Sequence, residues 1–172
     1  MFQPHEIPPT PLLAHVDPAD WPEILAPATR MELPTATPLF QQDGPPGKIY
    51  VLLSGEVEVS IHGQGGAVVL ARLGPGAVLG EIGFLIGSPR SASVYATEPC
   101  TLLEYSNEAF RALLDKRTPA AFQVLQNVAC NLAERLLETD ARVRQLSMLP
   151  STESARADLL ELRKLLLVNP IY

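Results

Sequence analysis

Residues 80–96 read GEIGFLIGSPRSASVYA. An acid, Glu81, stands between Gly80 and Ile82, with Gly83 next; Arg90 and Ser91 stand at the other end, and Ala92 leads into an alternating run. Glycines at 80 and 83 let a backbone pass close to a bound group because they carry no Cβ. EIGFLI has the length of one or two helical turns, and amides at the start of such a turn favour an anion. Arg90 offers a planar fork of donors that matches the paired oxygens of a phosphate. Ser91 adds a hydroxyl and a backbone N–H, whereas an ionised Glu81 can only accept, so it calls for a donor such as a sugar hydroxyl. Together the two ends suit a ligand with one negative charge and one free hydroxyl, the pair that a nucleoside 3′,5′-cyclic monophosphate carries. The same two charged residues could instead bridge a surface loop, a contact that contributes little. Residue types alone do not choose between these readings.

The elements around this loop follow from pattern. Residues 1–15 are proline-rich and are predicted to be extended. Asp17-Pro18 predicts a short helix near 18–28, with Pro22 inside it and Pro27 at its end. From about 38 to 105 short apolar or alternating runs (PLFQQ, KIYVLL, EVEVSIH, AVVLARL, ASVYA, CTLLEY) are separated by DGPPG, SG, GQGG and LGPG. Closely spaced short strands with glycine turns predict a small antiparallel barrel or sandwich. Ser106 then caps a short helix, NEAFRALLDK, and Thr118-Pro119 opens another. No glycine or proline follows until Pro150. Leu125, Val128, Ala129, Leu132, Leu136, Thr139, Val143 and Leu146 fall at three- and four-residue steps, which predicts one apolar stripe along a helix roughly 45 Å long. That is more than a small barrel can cover, so its far half is expected to pack on another chain. Ser151 can cap a further helix, SARADLLELRKLLLV, whose leucine face calls for a docking surface. The organisation expected is an N-terminal segment and short helix over 1–37, a β-barrel over 38–118, a long helix over 119–149 and a helical tail over 150–172.

Composition excludes several classes. Among 172 residues, 47% are hydrophobic and 19% charged, which is globular rather than disordered. A formal net charge of −6 argues against a general binder of nucleic-acid backbone. The expectation is no membrane span, no secretory signal and a cytoplasmic protein. Cys100 and Cys130 are expected to be free thiols, and His5, His15 and His62 are scattered, so no metal site, cofactor or nucleophile–base constellation is expected and the chain is read as a non-enzyme.

The stretch LGEIGFLIGSPRSASVYA resembles the phosphate-binding cassette of the cyclic nucleotide-binding domain family. IYVLLSGEVEV looks like that family's strand–turn–strand, and LARLGPGAVLGE like its glycine-rich approach to the cassette, so the resemblance extends over roughly 38–149. It implies a mainly β fold, a jelly-roll-like eight-stranded barrel flanked by helices. It implies that Glu81 accepts from a ribose 2′-hydroxyl, that Arg90 and Ser91 hold the cyclic phosphate, and that amides near Gly80, Ile82, Gly83 and Ala92 complete the cradle. Val59 and Leu70 fall where the family lines the base pocket, though both types also suit an ordinary barrel core. LAERLLETDARVRQLSML is similar to the dimerisation helix of the catabolite activator protein group. In that register Thr139 and Asp140 fall where adenine is contacted, the second from the other subunit; Asp140 departs from the usual small hydroxyl residue. The activators continue into a winged helix-turn-helix, for which about twenty residues after Pro150 leave no room. The resemblance thus implies a homodimeric receptor for cyclic AMP, with cyclic GMP less favoured, that signals to a separate, unnamed protein and reads no DNA. The alternative is a dimeric interaction scaffold of the same fold with no cyclic nucleotide of its own.

Overall fold

The computed structural model describes residues 7–63 and 66–147. In chain order the strands are β1 (Thr29–Leu33), β2 (Pro38–Phe40), β3 (Lys48–Ser54), β4 (Val57–Gly63), β5 (Gly66–Leu73), β6 (Val78–Leu79), β7 (Ser93–Ala96) and β8 (Cys100–Ser106). The helices are α1 (Trp21–Leu25), α2 (Glu81–Ile86), α3 (Asn107–Asp115) and α4 (Pro119–Ser147). The strands make two four-stranded antiparallel sheets, ordered β1-β8-β3-β6 and β2-β7-β4-β5. This is the mainly β fold with flanking helices, and each half of the cassette joins a different sheet: β6 leads into it and β7 leads out.

In the first sheet β3, β6 and β8 are buried on both faces. Successive side chains of a strand point to opposite sides. Ile49 and Val51 of β3, Val78 of β6 and Leu103 and Tyr105 of β8 pack with Phe84, Phe110, Leu113 and the start of α4. Tyr50 and Leu52, Leu79, and Cys100 and Leu102 take the other face and pack with Leu33, Val57, Val94 and Ala96 between the sheets. A strand covered on both sides reads as a continuous apolar run, which explains IYVLL. β1 and the two-residue β6 were not expected as strands. The alternation in TRMEL is the signal for β1, and its Leu33 is the one buried residue of that strand.

The N-terminal expectations need two corrections. Residues 1–6 lie outside the described part, but Pro11–Leu13 form a 3-10 turn rather than extended chain. Thr10 caps it by accepting from the Leu12 amide at 3.3 Å, and Leu12 and Leu13 are buried against the barrel. The helix expected over 18–28 is a 3-10 turn at Pro18–Asp20 followed by the five-residue α1. Asp17 does cap it, accepting from the Ala19 amide at 2.9 Å. In a helix begun at Pro18, Pro22 lacks the N–H that would bond one turn back, so the longer helix does not form.

Both later helix starts are capped as expected: the Ala109 amide donates to Ser106 Oγ at 3.0 Å and the Ala121 amide to Thr118 Oγ1 at 3.2 Å. The chain divides between Cys130 and Asn131 into two compact units. Within the first, α4 buries Ala120, Ala121, Val124, Asn127 and Val128, whereas Leu125 is only half-buried and Ala129 is exposed. The buried face is therefore rotated from the expected leucine stripe, because alanines let the helix approach closely. In the second unit, Leu136 and Leu137 are 52% and 64% exposed. The tail expected over 150–172 lies outside the described residues.

Asn127 joins α4 to the N-terminal segment. Its amide Nδ2 donates to the carbonyls of Leu12 at 3.1 Å and Ala14 at 2.6 Å, and its Oδ1 accepts from Gln123 at 3.0 Å. Removing a donor from buried acceptors costs about 1–3 kcal/mol. Asn127→Ala is expected to lower the unfolding free energy by about that amount; urea denaturation read by fluorescence and circular dichroism checks it.

Candidate functional site

The cassette is built around two left-handed glycines. Gly80, with φ +82°, precedes α2, and Gly87, with φ +68°, ends it by donating to the Gly83 carbonyl at 3.1 Å. A Cβ at Gly80 would meet Arg90 Nη1 and would lie 2.7 Å from the Lys48 carbonyl. One at Gly83 would lie 3.2 Å from the Ser88 carbonyl and 3.5 Å from Arg90 Nη1. Gly80 thus makes room for the guanidinium, and Gly83 for the Ser88 carbonyl, with Arg90 in ordinary contact. Ile82 and Gly83 supply amides in the first turn of α2, where a helix has no carbonyl one turn behind.

Arg90 is the centre of the arrangement. It is 5% exposed. Its Nη1 donates to the Gly80 carbonyl at 3.1 Å and its Nη2 to the Lys48 carbonyl at 3.0 Å. Its Cζ lies 4.3 Å from the centre of the Phe40 ring, and its buried Nε has no hydrogen-bond partner. The backbone is held as well: the Arg90 amide donates to the Gly44 carbonyl at 3.0 Å, and the Asp43 amide donates to the Arg90 carbonyl at 2.8 Å. Burial pushes the Arg90 guanidinium below its ordinary pKa, while Tyr50 and Glu81 act the other way. Glu81 is 2% exposed at the first position of α2, within electrostatic reach of Arg90. Both side chains are buried, Arg90 within a loop that is otherwise exposed or half-buried, so an exposed bridge between them is not what the fold contains.

The remaining expected residues fall in three places. Ser91 is exposed and Ala92 half-buried, between Arg90 and β7. Val59 and Leu70 lie in the second sheet, both half-buried. Val59 pairs with Val94 of β7 and Ala71 of β5, and Phe40 pairs with Val94 from the other side, so Phe40, Val94 and Val59 form one row across the sheet. Leu70 is the extra residue where the β4–β5 register shifts, a bulge that re-aims a side chain. Thr139 and Asp140 stand on α4 in the second compact unit. The Thr139 hydroxyl donates to the Arg135 carbonyl at 2.8 Å, and Asp140 is exposed.

Several participants were not singled out in the sequence. Phe40, Tyr50 and Lys48 surround the guanidinium from β2 and β3, and the DGPPG turn clamps its backbone. The aromatic Phe40 just before that turn, and the left-handed Asp43 within it (φ +63°), are the signals that could have drawn notice. Behind α2, Phe84 meets Phe110 edge-on at 4.9 Å, and Phe110 meets Tyr105 at 5.5 Å, whose hydroxyl donates to the Ile24 carbonyl at 3.2 Å. A separate cavity of about 260 Å3 is lined by Phe84, Leu85, Arg111, Leu114, Asp115 and Leu125. It contains none of the charged cassette residues. Among the described residues no cluster of acidic, histidine and cysteine side chains could hold a metal, Cys100 and Cys130 are free thiols, and no helix is long and apolar enough to cross a membrane.

Comparison with known proteins matches the family model of the cyclic nucleotide-binding domain over residues 30–117. The CRP-like protein Clp of Xanthomonas oryzae pv. oryzae (strain PXO99A) is 30% identical over 158 residues, which cover 90% of this chain and 68% of that protein. The catabolite activator protein of Thermus thermophilus superposes with a TM-score of 0.72 at 33% identity, covering 80% of this chain and 63% of that one. The c-di-GMP responsive regulator CLP of Xanthomonas campestris superposes with a TM-score of 0.70 at 28% identity, covering 78% and 66%. The chain thus spans about two thirds of the length of these relatives.

Of the two left-handed cassette glycines, Gly80 is the less forgiving. A side chain there must adopt φ +82° and displace Arg90, whereas a Cβ at Gly87 meets nothing within 4 Å despite φ +68°. Left-handed strain alone costs about 1–2 kcal/mol. Gly87→Ala is expected to show that loss in urea unfolding, and Gly80→Ala a clearly larger one, because only the latter also collides.

Proposed function

The chain belongs to the cyclic nucleotide-binding domain family, and on that premise we propose that it is a non-catalytic cytosolic receptor for a cyclic nucleotide, with cyclic AMP as its first ligand. The observation that carries this reading is the buried Arg90, whose Nε has no partner, beside the buried Glu81 at the start of α2. A guanidinium stays cationic under physiological conditions. Placed in a protein interior it favours an anion whose paired oxygens match its fork. The amides of Ile82 and Gly83 add dipoles of the same sign, and Glu81 offers an acceptor for the 2′-hydroxyl. Ser91 and the Ala92 amide complete the phosphate end, and Val59 and Leu70 offer an apolar wall to the base. Thr139 and Asp140 are the residues of α4 that the family's register offers for adenine.

The mechanism is a population shift. A ligand that binds one arrangement of cassette and long helix better than another favours that arrangement by its difference in affinity, and a partner protein reads the result. Support for cyclic AMP comes from the regulatory domain of Toxoplasma gondii PKA, solved with cAMP, which superposes at 26% identity with a TM-score of 0.56 over 60% of this chain. A second ligand also has support, since the Xanthomonas campestris relative is c-di-GMP responsive.

Isothermal titration with cyclic AMP, cyclic GMP and c-di-GMP is the direct test. Saturable one-to-one binding of cyclic AMP, tighter than cyclic GMP, is the expected result; heat from c-di-GMP alone would move the ligand to the second class. Arg90→Ala removes charged hydrogen bonds of about 1.5–3 kcal/mol, so the affinity is expected to fall about tenfold to several hundredfold with the fold retained.

We further read the chain as a homodimer through residues 120–148. Exposed Leu136 and Leu137 on α4 give two such helices apolar area to bury against each other, at roughly 25 cal/mol per Å2. Replacing Leu136 and Val143 by Glu puts carboxylates into that seam and is expected to yield folded monomers. Light scattering checks this: a parent protein that stays monomeric at high concentration, with and without ligand, contradicts it.

A further inference from the structure

We propose that Phe40 is a positioning residue for the phosphate end of this site, and that its ring face, beyond its bulk, keeps the Arg90 guanidinium inside the protein ready for an anion. The proposal rests on reading Arg90 as the phosphate contact. Three observations lead to it. Arg90 is 5% exposed, yet only two of its N–H groups meet acceptors, the carbonyls of Gly80 and Lys48. Its Nε is buried with no acceptor. Its Cζ stands 4.3 Å over the Phe40 ring.

A guanidinium has five N–H donors and no acceptor, so most of this cation's hydration is lost without replacement by hydrogen bonds. Taking a charge out of water this way is costly, and the group tends to swing out instead. The negative face of an aromatic ring offsets part of that cost, more strongly where water is excluded. An aliphatic residue of similar size would fill the space and supply no such attraction.

Phe40 is itself held in place. Its backbone pairs with Val94 of β7, its ring stacks on Tyr50 with centres 6.1 Å apart and planes 29° from parallel, and it packs against the core between the sheets. The chain runs from Phe40 directly into the turn whose Asp43 and Gly44 clamp the Arg90 backbone. One segment, residues 40–44, therefore fixes both ends of the arginine. The ring, centred 4.3 Å from Cζ, attracts the cation without taking up an N–H donor as a hydrogen-bond acceptor would. Phe40 thus needs no contact with the ligand to affect binding.

The test has two arms on the full chain. In the first, without ligand, the Arg90 Nε–H resonance of arginine-15N-labelled protein is followed by NMR. A proton over an aromatic face is shifted upfield, so a signal displaced from the other arginines is expected; it should return among them in Phe40→Leu and stay displaced in Phe40→Tyr. In the second, cyclic AMP is titrated. Phe40→Leu is expected to weaken binding about fivefold to thirtyfold, Phe40→Tyr by less than about threefold, and Phe40→Leu to add nothing in an Arg90→Ala background. Equal affinity of Phe40→Leu and parent overturns the proposal. So does the same further loss when Arg90 is already absent, which would make Phe40 a purely structural residue, or an undisplaced Nε–H in the parent. Should the parent bind no cyclic nucleotide, the proposed function fails, and the NMR arm alone decides whether Phe40 holds Arg90.

Discussion

Burying one permanent positive charge shapes the centre of this molecule. Arg90 is nearly excluded from solvent, and its surroundings are arranged to make that tolerable. Two carbonyls from different elements accept its Nη groups, an aromatic ring covers its face, and a carboxylate lies within electrostatic reach. Gly80 must be a glycine because the guanidinium occupies the space a side chain would take. The left-handed turn that results places Glu81 at the head of α2. The compensation is incomplete, since Nε has no acceptor, and an incompletely compensated buried cation favours an arriving anion.

The double-faced first sheet links this centre to the helices. Tyr50 and Lys48 border the guanidinium from β3, while Ile49 and Val51 of the same strand pack toward α3 and α4. Phe84 does likewise for α2, one turn beyond Glu81, by meeting Phe110 edge-on. Close-packed aromatic contacts do not deform gradually. A ligand that shifts α2 must therefore either keep the Phe84–Phe110 contact and carry α3 with it, or exchange that contact for another. Asn127 and Tyr105, which bond the carbonyls of Leu12, Ala14 and Ile24, hold the N-terminal segment and the start of α4 in the same unit.

The relatives extend beyond the region they share with this chain, which spans about two thirds of them. What is shared is the cyclic nucleotide-binding fold with its long helix. The exposed Leu136 and Leu137 of α4 are the apolar surface on which the proposed dimer rests.

Local chemistry was legible in the sequence wherever it depends on neighbours along the chain. Strand runs between glycine turns, the caps at Ser106 and Thr118 and the short helix EIGFLI all rest on residues a few positions apart. So does the family resemblance, because the cassette is one continuous segment. What the tertiary structure decided is what meets that segment. Phe40 and the clamp of Asp43 and Gly44 lie more than forty residues from Arg90, and in sequence they read as the end of a strand and an ordinary turn. β1 and β6 are strands because β8 and β3 pair with them. Leu12 and Leu13 turn inward because the barrel offers them a surface, against the extended habit of a proline-rich stretch. The buried face of α4 follows alanines that admit close packing rather than the leucines that mark the stripe. Whether Glu81 and Arg90 stand on the surface or in the interior depends on every element that closes over them, not on the residues themselves.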